Sequence, residues 1–262
     1  MNDDGFEQWM RRRNLTQPTI KLWGNVNRRF AGWHGDPLNA THVDIEAWLW
    51  VEQPHVAPAT RMSYRKGLRA YYQWALREGL VTVDPTDAVP VPQVPHHRPR
   101  PIPTALLREA LTAATPKVRA TLCLGCYQGL RTAEMAALRV DDVTDTTLTV
   151  WGKGRKQRSV PLHDDTKTAL AAIATPGELV LGGITGAWVS VRGSRFLHGL
   201  GWDHPRPMHS LRAWYATSLY RESGKDLFLV RDMLGHSSTD LTALYVGIAD
   251  GAAAAAVSRL AA

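Results

Sequence analysis

Seven prolines lie within one short segment, at positions 85, 90, 92, 95, 99, 101 and 103. Proline fixes its own φ angle and has no N–H to donate, so this density excludes a helix or a central strand and favours an extended, semi-rigid connector. A chain of 262 residues is long enough for two ordinary domains. The segment therefore predicts an N-terminal domain at residues 1–87, a linker at residues 88–102 and a C-terminal domain at residues 103–262.

The N-terminal part has the pattern of a helical domain. Its best-defined helix is predicted from Thr60 to Glu78, where apolar residues recur at helical spacing and Gly79 supplies a C-cap. Three arginines recur at every fourth position of this helix and share one face, which suits a phosphate backbone. An ordinary solvated helix face is the alternative. The candidate DNA contacts on this helix are Arg61, Arg65, Lys66 and Arg69.

The C-terminal part combines helices with one hairpin. Helices are predicted at residues 105–114, 117–128 and 133–138, with Thr132 as the cap of the third, and again from Met208 to the end. Between them, apolar and polar residues alternate in two short runs around a Gly-Lys-Gly-Arg-Lys turn. The predicted fold class is mainly α with a small antiparallel β-sheet: a helical N-terminal domain followed by an α+β C-terminal domain.

Composition and cysteine usage restrict the environment and the partner. The formal net charge of +7 favours a polyanionic partner. The acidic, polar start does not resemble an export signal, and no apolar run is long enough to span a bilayer, so a cytoplasmic protein without membrane contact is expected. Cys123 and Cys126 lie in a predicted helix, and we expect two buried small side chains rather than a redox pair or half of a zinc site.

Two arginines and two histidines suit an attack on a phosphodiester without a metal. Arginine stays protonated and donates parallel hydrogen bonds, so Arg131 and Arg212 can neutralise charge on one phosphate. His209 precedes Arg212 by three residues on a predicted helix, shares its face, and can move protons near neutral pH. Gly235 permits a tight turn that aims His236. Each of these residues alone is more often structural, as a surface ion pair or a satisfied histidine.

A tyrosine near the C-terminus supplies a nucleophile. Attack by the Tyr245 hydroxyl on a backbone phosphate gives an ester of similar energy to the original bond, so no ATP is required. The phenol has a pKa of about 10 and needs neighbouring cations or a histidine to lose its proton. Lys153 on the hairpin turn can protonate the leaving oxygen, and Glu134 can orient Arg131 or a histidine. A core tyrosine and a solvated turn lysine are the alternatives.

Five motifs in this order resemble the tyrosine recombinases, the family of phage-type integrases. The resemblance covers about residues 100–250, and residues 1–85 look more loosely like the helical core-site-binding domain of that family. The matches are G-L-R-x-x-E-L at residues 129–135 with Met135 in place of leucine, G-K-G-x-K-x-R-x-V-P-L at residues 152–162, H-x-L-R at residues 209–212, L-G-H-S-S at residues 234–238, and the nucleophile at Tyr245, nine residues after His236.

The resemblance implies an activity and an assembly. Tyr245 would form a 3′-phosphotyrosyl link and free a 5′-hydroxyl, which attacks the corresponding link of a partner duplex. Four protomers on two duplexes would then exchange strands through a Holliday junction, and residues 252–262 would form a helix that docks on a neighbouring protomer. The implied phosphate-activating site comprises Arg131, Lys153, His209, Arg212 and His236, and the cations Arg155 and Lys156 of the hairpin turn are further candidate DNA contacts.

The sequence therefore predicts a site-specific recombinase, a phage integrase acting in the host bacterial cytoplasm. Its partner would be double-stranded DNA with inverted core-type sites, bound by a homotetramer that is a monomer or weak oligomer when free, and no metal or other cofactor is expected. About 85 residues precede the linker, so a simple type without an arm-binding domain is expected. A resolvase or transposon recombinase shares this chemistry. A type IB topoisomerase-like enzyme, which shares the tyrosine chemistry, and a catalytically silent sequence-specific DNA-binding protein are the alternatives; the short chain and the recombinase-like hairpin argue against the topoisomerase, and the intact set of reactive residues argues against the silent protein.

Overall fold

The computed structural model describes residues 3–95, 99–152, 156–173, 177–236 and 242–243 of the chain. The chain divides into two compact units, Met1–His96 and His97–Ala262. The division falls inside the proline-rich segment, but Val89 is buried in the core of the first unit and Ile102 in that of the second. Core residues therefore lie near both ends of residues 88–102, and the predicted domain bounds stay a prediction. Within the described ranges, every helix is too short or too polar to cross a bilayer.

The first unit is built from helices α1 (Asp3–Arg12), α2 (Gln17–His34), α3 (His42–Glu46) and α4 (Pro58–Arg77). A π-helical turn follows α3 at Ala47–Val51, and 3-10 turns lie at Pro37–Asn39 and Pro85–Asp87. Helix α4 begins at a proline, whose fixed φ suits a first helical position, and it matches the predicted helix closely. Large aromatic and aliphatic side chains fill the core, among them Phe30, Ile45, Trp48, Leu49, Leu68 and Tyr72.

The second unit joins helices to one β-hairpin. Its elements are α5 (Thr104–Ala113), α6 (Pro116–Cys126), α7 (Thr132–Ala137), β1 (Thr147–Trp151), β2 (Gln157–Pro161), α8 (Asp164–Ala171), α9 (Gly186–Gly199), α10 (Pro207–Glu222) and α11 (Leu227–Leu234). The strands are antiparallel, with Leu148 opposite Val160 and both side chains buried. The predicted fold class is confirmed, because the described residues are mostly helical and form a small antiparallel sheet.

Helix α6 is the centre of the second unit. Every residue from Ala120 to Cys126 is buried, because α6 contacts α5, α8, α9 and α10. Cys123 and Cys126 are both buried free thiols, and burial raises the pKa of Cys123 to about 11. The prediction that these two cysteines are small core side chains is confirmed. Helix α6 ends where the turn to α7 begins, so the core fixes the position of the residues that follow.

Candidate active site

Arg131 lies at the turn between α6 and α7. The turn depends on Gly129, which has a φ of 62° and approaches Tyr215 so closely that a Cβ would overlap its ring. Arg131 is itself the N-cap residue of α7, one position before the predicted cap, Thr132. The reason is Glu134, whose Oε2 accepts the backbone N–H of Arg131 at 2.9 Å. The side chain of Arg131 is 44% exposed.

Glu134 is a buried carboxylate that lies within 4 Å of three arginine side chains. Its Oε1 accepts a hydrogen bond from Arg131 Nη1 at 2.8 Å. Arg158, on β2, donates from Nη1 at 3.1 Å and from Nη2 at 2.8 Å. Arg212 Nη1 lies 3.9 Å from Oε2. The expected contact between Glu134 and Arg131 is present, and the same carboxylate also holds the hairpin in place.

The charge state of Glu134 follows from these contacts. Burial raises the pKa of this carboxyl, but hydrogen bonds and charge from Arg158, the backbone amide of Arg131 and the charge of Arg212 lower it to about 2. Glu134 is therefore ionised near neutral pH. Removing one partner of a buried ion pair costs about 3–5 kcal/mol, since the other charge is left uncompensated. Glu134 thus fixes the positions of the arginine side chains, and their positive charges in turn keep its carboxylate ionised.

Helix α10 carries His209 and Arg212 on one face, as their spacing predicts. The start of this helix lies close to α9, because Gly193 leaves room where a Cβ would overlap Sδ of Met208. Arg212 is only 1% exposed. Its guanidinium donates to the carbonyl oxygens of Gly129 and of Leu234. Arg212 therefore joins the turn before α7 to the end of α11.

His236 follows the turn that ends α11. Gly235 adopts the left-handed conformation, with a φ of 63°, so the predicted turn is present and it directs His236 toward α10. Arg212 Nη2 lies 3.1 Å from His236 Nε2. A guanidinium can only donate, so Nε2 accepts and carries no proton. The proton then lies on Nδ1, which donates to Thr242 Oγ1 at 3.0 Å.

Three of the predicted residues line one cavity of about 240 Å³. Arg131 and Arg212 supply positive charge to it, and His209 also lines it. This arrangement can bind and polarise a phosphate group, since arginine presents fixed donors to its oxygens. The other lining residues are Leu130, Thr132, Ser190, Ser194, Pro205, Arg206 and Met208.

Both histidines are neutral near pH 7. Surrounding protein atoms displace water from His209, and the charges of Arg212, Arg206 and Arg131 add to this effect, lowering its pKa to about 4. Burial and the charge of Arg212 likewise lower the pKa of His236 to about 4. A neutral imidazole can accept a proton or a hydrogen bond at neutral pH. Phosphate binding brings negative charge and would raise both values.

The free energy of unfolding is expected to fall as pH is lowered from about 6.5 to about 4. Unfolded histidine has a pKa of about 6.5, whereas His209 and His236 have a pKa of about 4 in the fold. Between these values the unfolded chain binds more protons, so acid favours unfolding. Glu134 acts in the same direction only at the acid end of this window, because an unfolded glutamate has a pKa of about 4.3 and the folded carboxyl one of about 2, so most of its contribution is lost below about pH 4.

Urea titrations across this pH range measure how steeply the free energy of unfolding falls with pH. The double variant His209→Gln, His236→Gln should show a shallower decline than the wild type. The slope is the readout, because the substitutions also change hydrogen bonds and shift the absolute stability. An equal slope in both proteins would show that these rings do not carry the effect.

The structure does not describe every predicted site residue. Lys153, Arg155 and Tyr245 lie outside the described residues, as does the predicted docking helix at residues 252–262. Lys156 is exposed at the start of β2. Its backbone carbonyl accepts the N–H of Gly152 at 2.8 Å across the hairpin. The lysine, the hairpin arginine and the nucleophile therefore remain sequence-based predictions.

Arg158 belongs to this site, although the sequence placed it only within a motif and not among the predicted site residues. It is largely buried, and besides Glu134 it binds the carbonyl oxygen of Met233 at 3.0 Å. A signal was present in the strand alternation, because Arg158 lies two positions before the buried Val160 and must face the same side. An arginine on the inner face of a strand requires a buried acceptor.

The three regularly spaced arginines of α4 do not form one exposed basic face, because the middle one is buried. Arg65 is buried, and its guanidinium donates to the carbonyl oxygens of Thr86 and Val89. Burial and these hydrogen bonds, which hold the segment after α4, indicate a structural role for Arg65, and its contact with DNA stays a prediction.

The two flanking arginines also have protein partners. Arg61 donates to Leu49 and Gln53 carbonyls, and Arg69 lies 2.8 Å from Asp87. Of the four candidates on α4, Lys66 is exposed.

Arg65→Ala is expected to lower the free energy of unfolding by about 1–3 kcal/mol or more, since it leaves buried carbonyl groups unpaired. Lys66→Ala is the matched substitution on the same helix, and it should leave the stability within about 0.5 kcal/mol. If Lys66 contacts a phosphate, its loss reduces the salt slope of DNA binding by about one. Denaturant titration and binding at several salt concentrations measure both quantities. A stable Arg65→Ala protein with a reduced salt slope would restore Arg65 to the interface.

Comparisons with known proteins identify the family. The chain is 31% identical over 248 residues to tyrosine recombinase XerD of Pseudomonas putida, covering 84% of this chain and 83% of the relative. It is 30% identical over 283 residues to tyrosine recombinase XerC of Mycobacterium sp. (strain KMS), covering 94% and 93%. No protein-family profile matches the chain.

Solved structures share the fold at low identity. A lambda integrase (75-356) dimer bound to a COC′ core site has a TM-score of 0.74 at 20% identity, covering 95% of this chain and 94% of that one. XerH bound to a palindromic difH substrate has a TM-score of 0.72 at 19% identity, covering 94% and 81%. Together with the 31% identity to a recombinase along most of both chains, these comparisons establish that the chain belongs to the tyrosine recombinase family, whose members are enzymes that cleave and rejoin DNA.

Proposed function

We propose that this recombinase is a phage integrase that acts on double-stranded DNA with inverted core-type sites. The observation that carries the proposal is the placement of Arg131, His209 and Arg212 around one cavity, with His236 on Arg212. A cluster of cations and neutral imidazoles is suited to a phosphodiester, whose negative charge grows in the transition state. The enzyme would work in the cytoplasm of a bacterial host.

The chemistry would proceed by two transesterifications. The Tyr245 hydroxyl attacks the phosphorus, its proton passes to a neutral imidazole, and the bond to the 5′-oxygen breaks as Lys153 supplies a proton to that oxygen. Arg131 and Arg212 neutralise the non-bridging oxygens, since both guanidiniums remain protonated. The 5′-hydroxyl of the partner duplex then attacks the 3′-phosphotyrosyl link and releases the tyrosine. The bond energy is conserved, so the exchange is reversible.

Four protomers would exchange strands through a Holliday junction. A lambda integrase that shares 22% identity and a TM-score of 0.71 with this chain forms a tetramer bound to a Holliday junction. In the N-terminal unit, Lys66 is exposed, and the Arg69–Asp87 ion pair is partly exposed, with 39% of the Arg69 side chain and 64% of the Asp87 side chain accessible. Such surface pairs contribute about 0–1 kcal/mol, so a DNA phosphate can displace the aspartate. We assign core-site binding to this unit, with Arg155 and Lys156 as contacts from the hairpin.

Strand exchange on a mapped site tests the proposal. A footprint on phage and host DNA defines the protected sequence, which is then placed on a supercoiled plasmid and on a linear fragment. An integrase should join the two molecules and leave a plasmid without the site supercoiled. Relaxation of both plasmids would indicate a topoisomerase, and a footprint without any strand cleavage would indicate a silent DNA-binding protein. Either of these outcomes would overturn the proposal.

A further inference from the structure

The cavity that holds the catalytic candidates extends beyond them. Arg131, His209 and Arg212 line it together with a wall from α9 and the residues just before α10. His236 is not among its lining residues, although it contacts Arg212. Its lining also includes Arg206, Ser190 and Ser194, which have no role in the proposed reaction.

Arg206 is a third cation in the lining of this cavity. It is exposed and directly precedes α10, and its backbone N–H donates to His204 Nδ1 at 3.0 Å, which fixes the turn. In the part of the chain that the structure describes, its guanidinium has no carboxylate partner and no hydrogen bond. Arg131 and Arg212 differ in this respect, since Glu134 or backbone carbonyl groups hold them.

Two hydroxyl groups line the same cavity. Ser190 and Ser194 are four residues apart on α9, so they lie on one helix face, and both line the cavity. Within the described ranges, neither hydroxyl has a hydrogen-bond partner. A guanidinium and two hydroxyl donors suit the oxygens of a phosphate. The start of α10 adds the partial positive charge of a helix N-terminus.

We infer that Arg206, Ser190 and Ser194 form a second phosphate subsite, which binds an unreactive backbone phosphate next to the one that is cleaved. This inference rests on the proposed function, because it assigns the second position relative to the reacting phosphate. A contact of this kind is equally strong before and during the reaction, so it contributes to affinity and not to the rate of the bound complex. Arg206 is thus a positioning residue rather than a catalytic one.

Arg206→Ala tests the subsite. We expect DNA affinity to fall about tenfold and the salt slope to fall by about one, with an unchanged single-turnover cleavage rate at saturating protein. Arg221→Ala is the matched control, since Arg221 is also exposed on α10 and lies outside the cavity. Arg206→Gln provides a second variant, and thermal unfolding checks that all three remain folded. A lowered cleavage rate at saturation, or an affinity equal to that of Arg221→Ala, would overturn the inference.

Neutral methylphosphonate groups identify the phosphate. They replace single phosphates on either side of the cleavage position, and binding is measured for wild type and Arg206→Ala. At one flanking position, the methylphosphonate should weaken DNA binding by the wild type about as much as the Arg206→Ala substitution does on unmodified DNA. The same methylphosphonate should not weaken DNA binding by Arg206→Ala any further. An equal loss by both proteins at every position would contradict the subsite. Binding is measured independently of cleavage, so a wild type that never cleaves DNA would refute the proposed function and still leave this result readable.

Discussion

Tyr245→Phe is expected to abolish covalent trapping on a DNA substrate that carries a nick close to the cleavage position. In the wild type, the short fragment released by cleavage diffuses away, so the 5′-hydroxyl needed for religation is lost and the adduct accumulates. Phenylalanine keeps the ring but has no oxygen to form the ester. The loss should be complete, while DNA affinity stays within about twofold of wild type, because one uncharged hydroxyl adds little to a contact dominated by phosphates.

The adduct is measured on denaturing gels, and the affinity on native gels with the same DNA. Tyr220→Phe is a suitable control, since Tyr220 is a buried tyrosine of α10 packed with α11 residues. This control should form adduct at a rate near that of wild type. Adduct formation by Tyr245→Phe would remove Tyr245 from the reaction.

Arg131→Ala is expected to lower the cleavage rate by about 10²–10³, the usual effect of removing one donor that stabilises a transition-state oxyanion. The stability should change little, because the side chain of Arg131 is 44% exposed and Glu134 keeps both hydrogen bonds to Arg158. DNA binding should also change little, since many other phosphates remain bound. A single-turnover cleavage assay with a parallel denaturant titration measures these quantities.

Arg212→Ala should lose the same activity for two reasons at once. It removes a charge from the cavity, and it leaves the carbonyl groups of Gly129 and Leu234 without their donor. Each unpaired buried carbonyl costs about 1–3 kcal/mol, so this variant should also unfold more easily. Arg131→Ala therefore gives the cleaner test of phosphate stabilisation. Equal losses of binding and cleavage in Arg131→Ala would count against the role assigned to it.

Local patterns in the sequence were sufficient for most of the fold. Helical spacing located α4, and strand alternation gave the hairpin with Leu148 facing Val160. The site was also predictable where one local feature places a side chain. His209 and Arg212 share a face of α10 because they are three residues apart, and the left-handed Gly235 directs His236.

Contacts between distant segments were not predictable in the same way. The spacing of Arg65 gives its helix face, but the carbonyl groups of Thr86 and Val89 arrive from the segment after α4 and convert a surface position into a buried one. Arg158 reaches Glu134 from a strand 24 residues away. Ser190 and Ser194 have no motif of their own, and only the packing of α9 places them in the cavity with His209. Each case depends on tertiary packing that periodicity does not encode.

The proposed reaction requires the oxygen of Tyr245 to become bonded to a DNA end within this cluster of cations. Mass spectrometry of the trapped adduct, after proteolysis and nuclease digestion, detects that bond. We expect one peptide carrying a nucleotide through a phosphodiester on Tyr245, attached to the 3′ side of the break, with a free 5′-hydroxyl on the other strand end. A nucleotide on any other residue, or a link to the 5′ side, would refute this reaction.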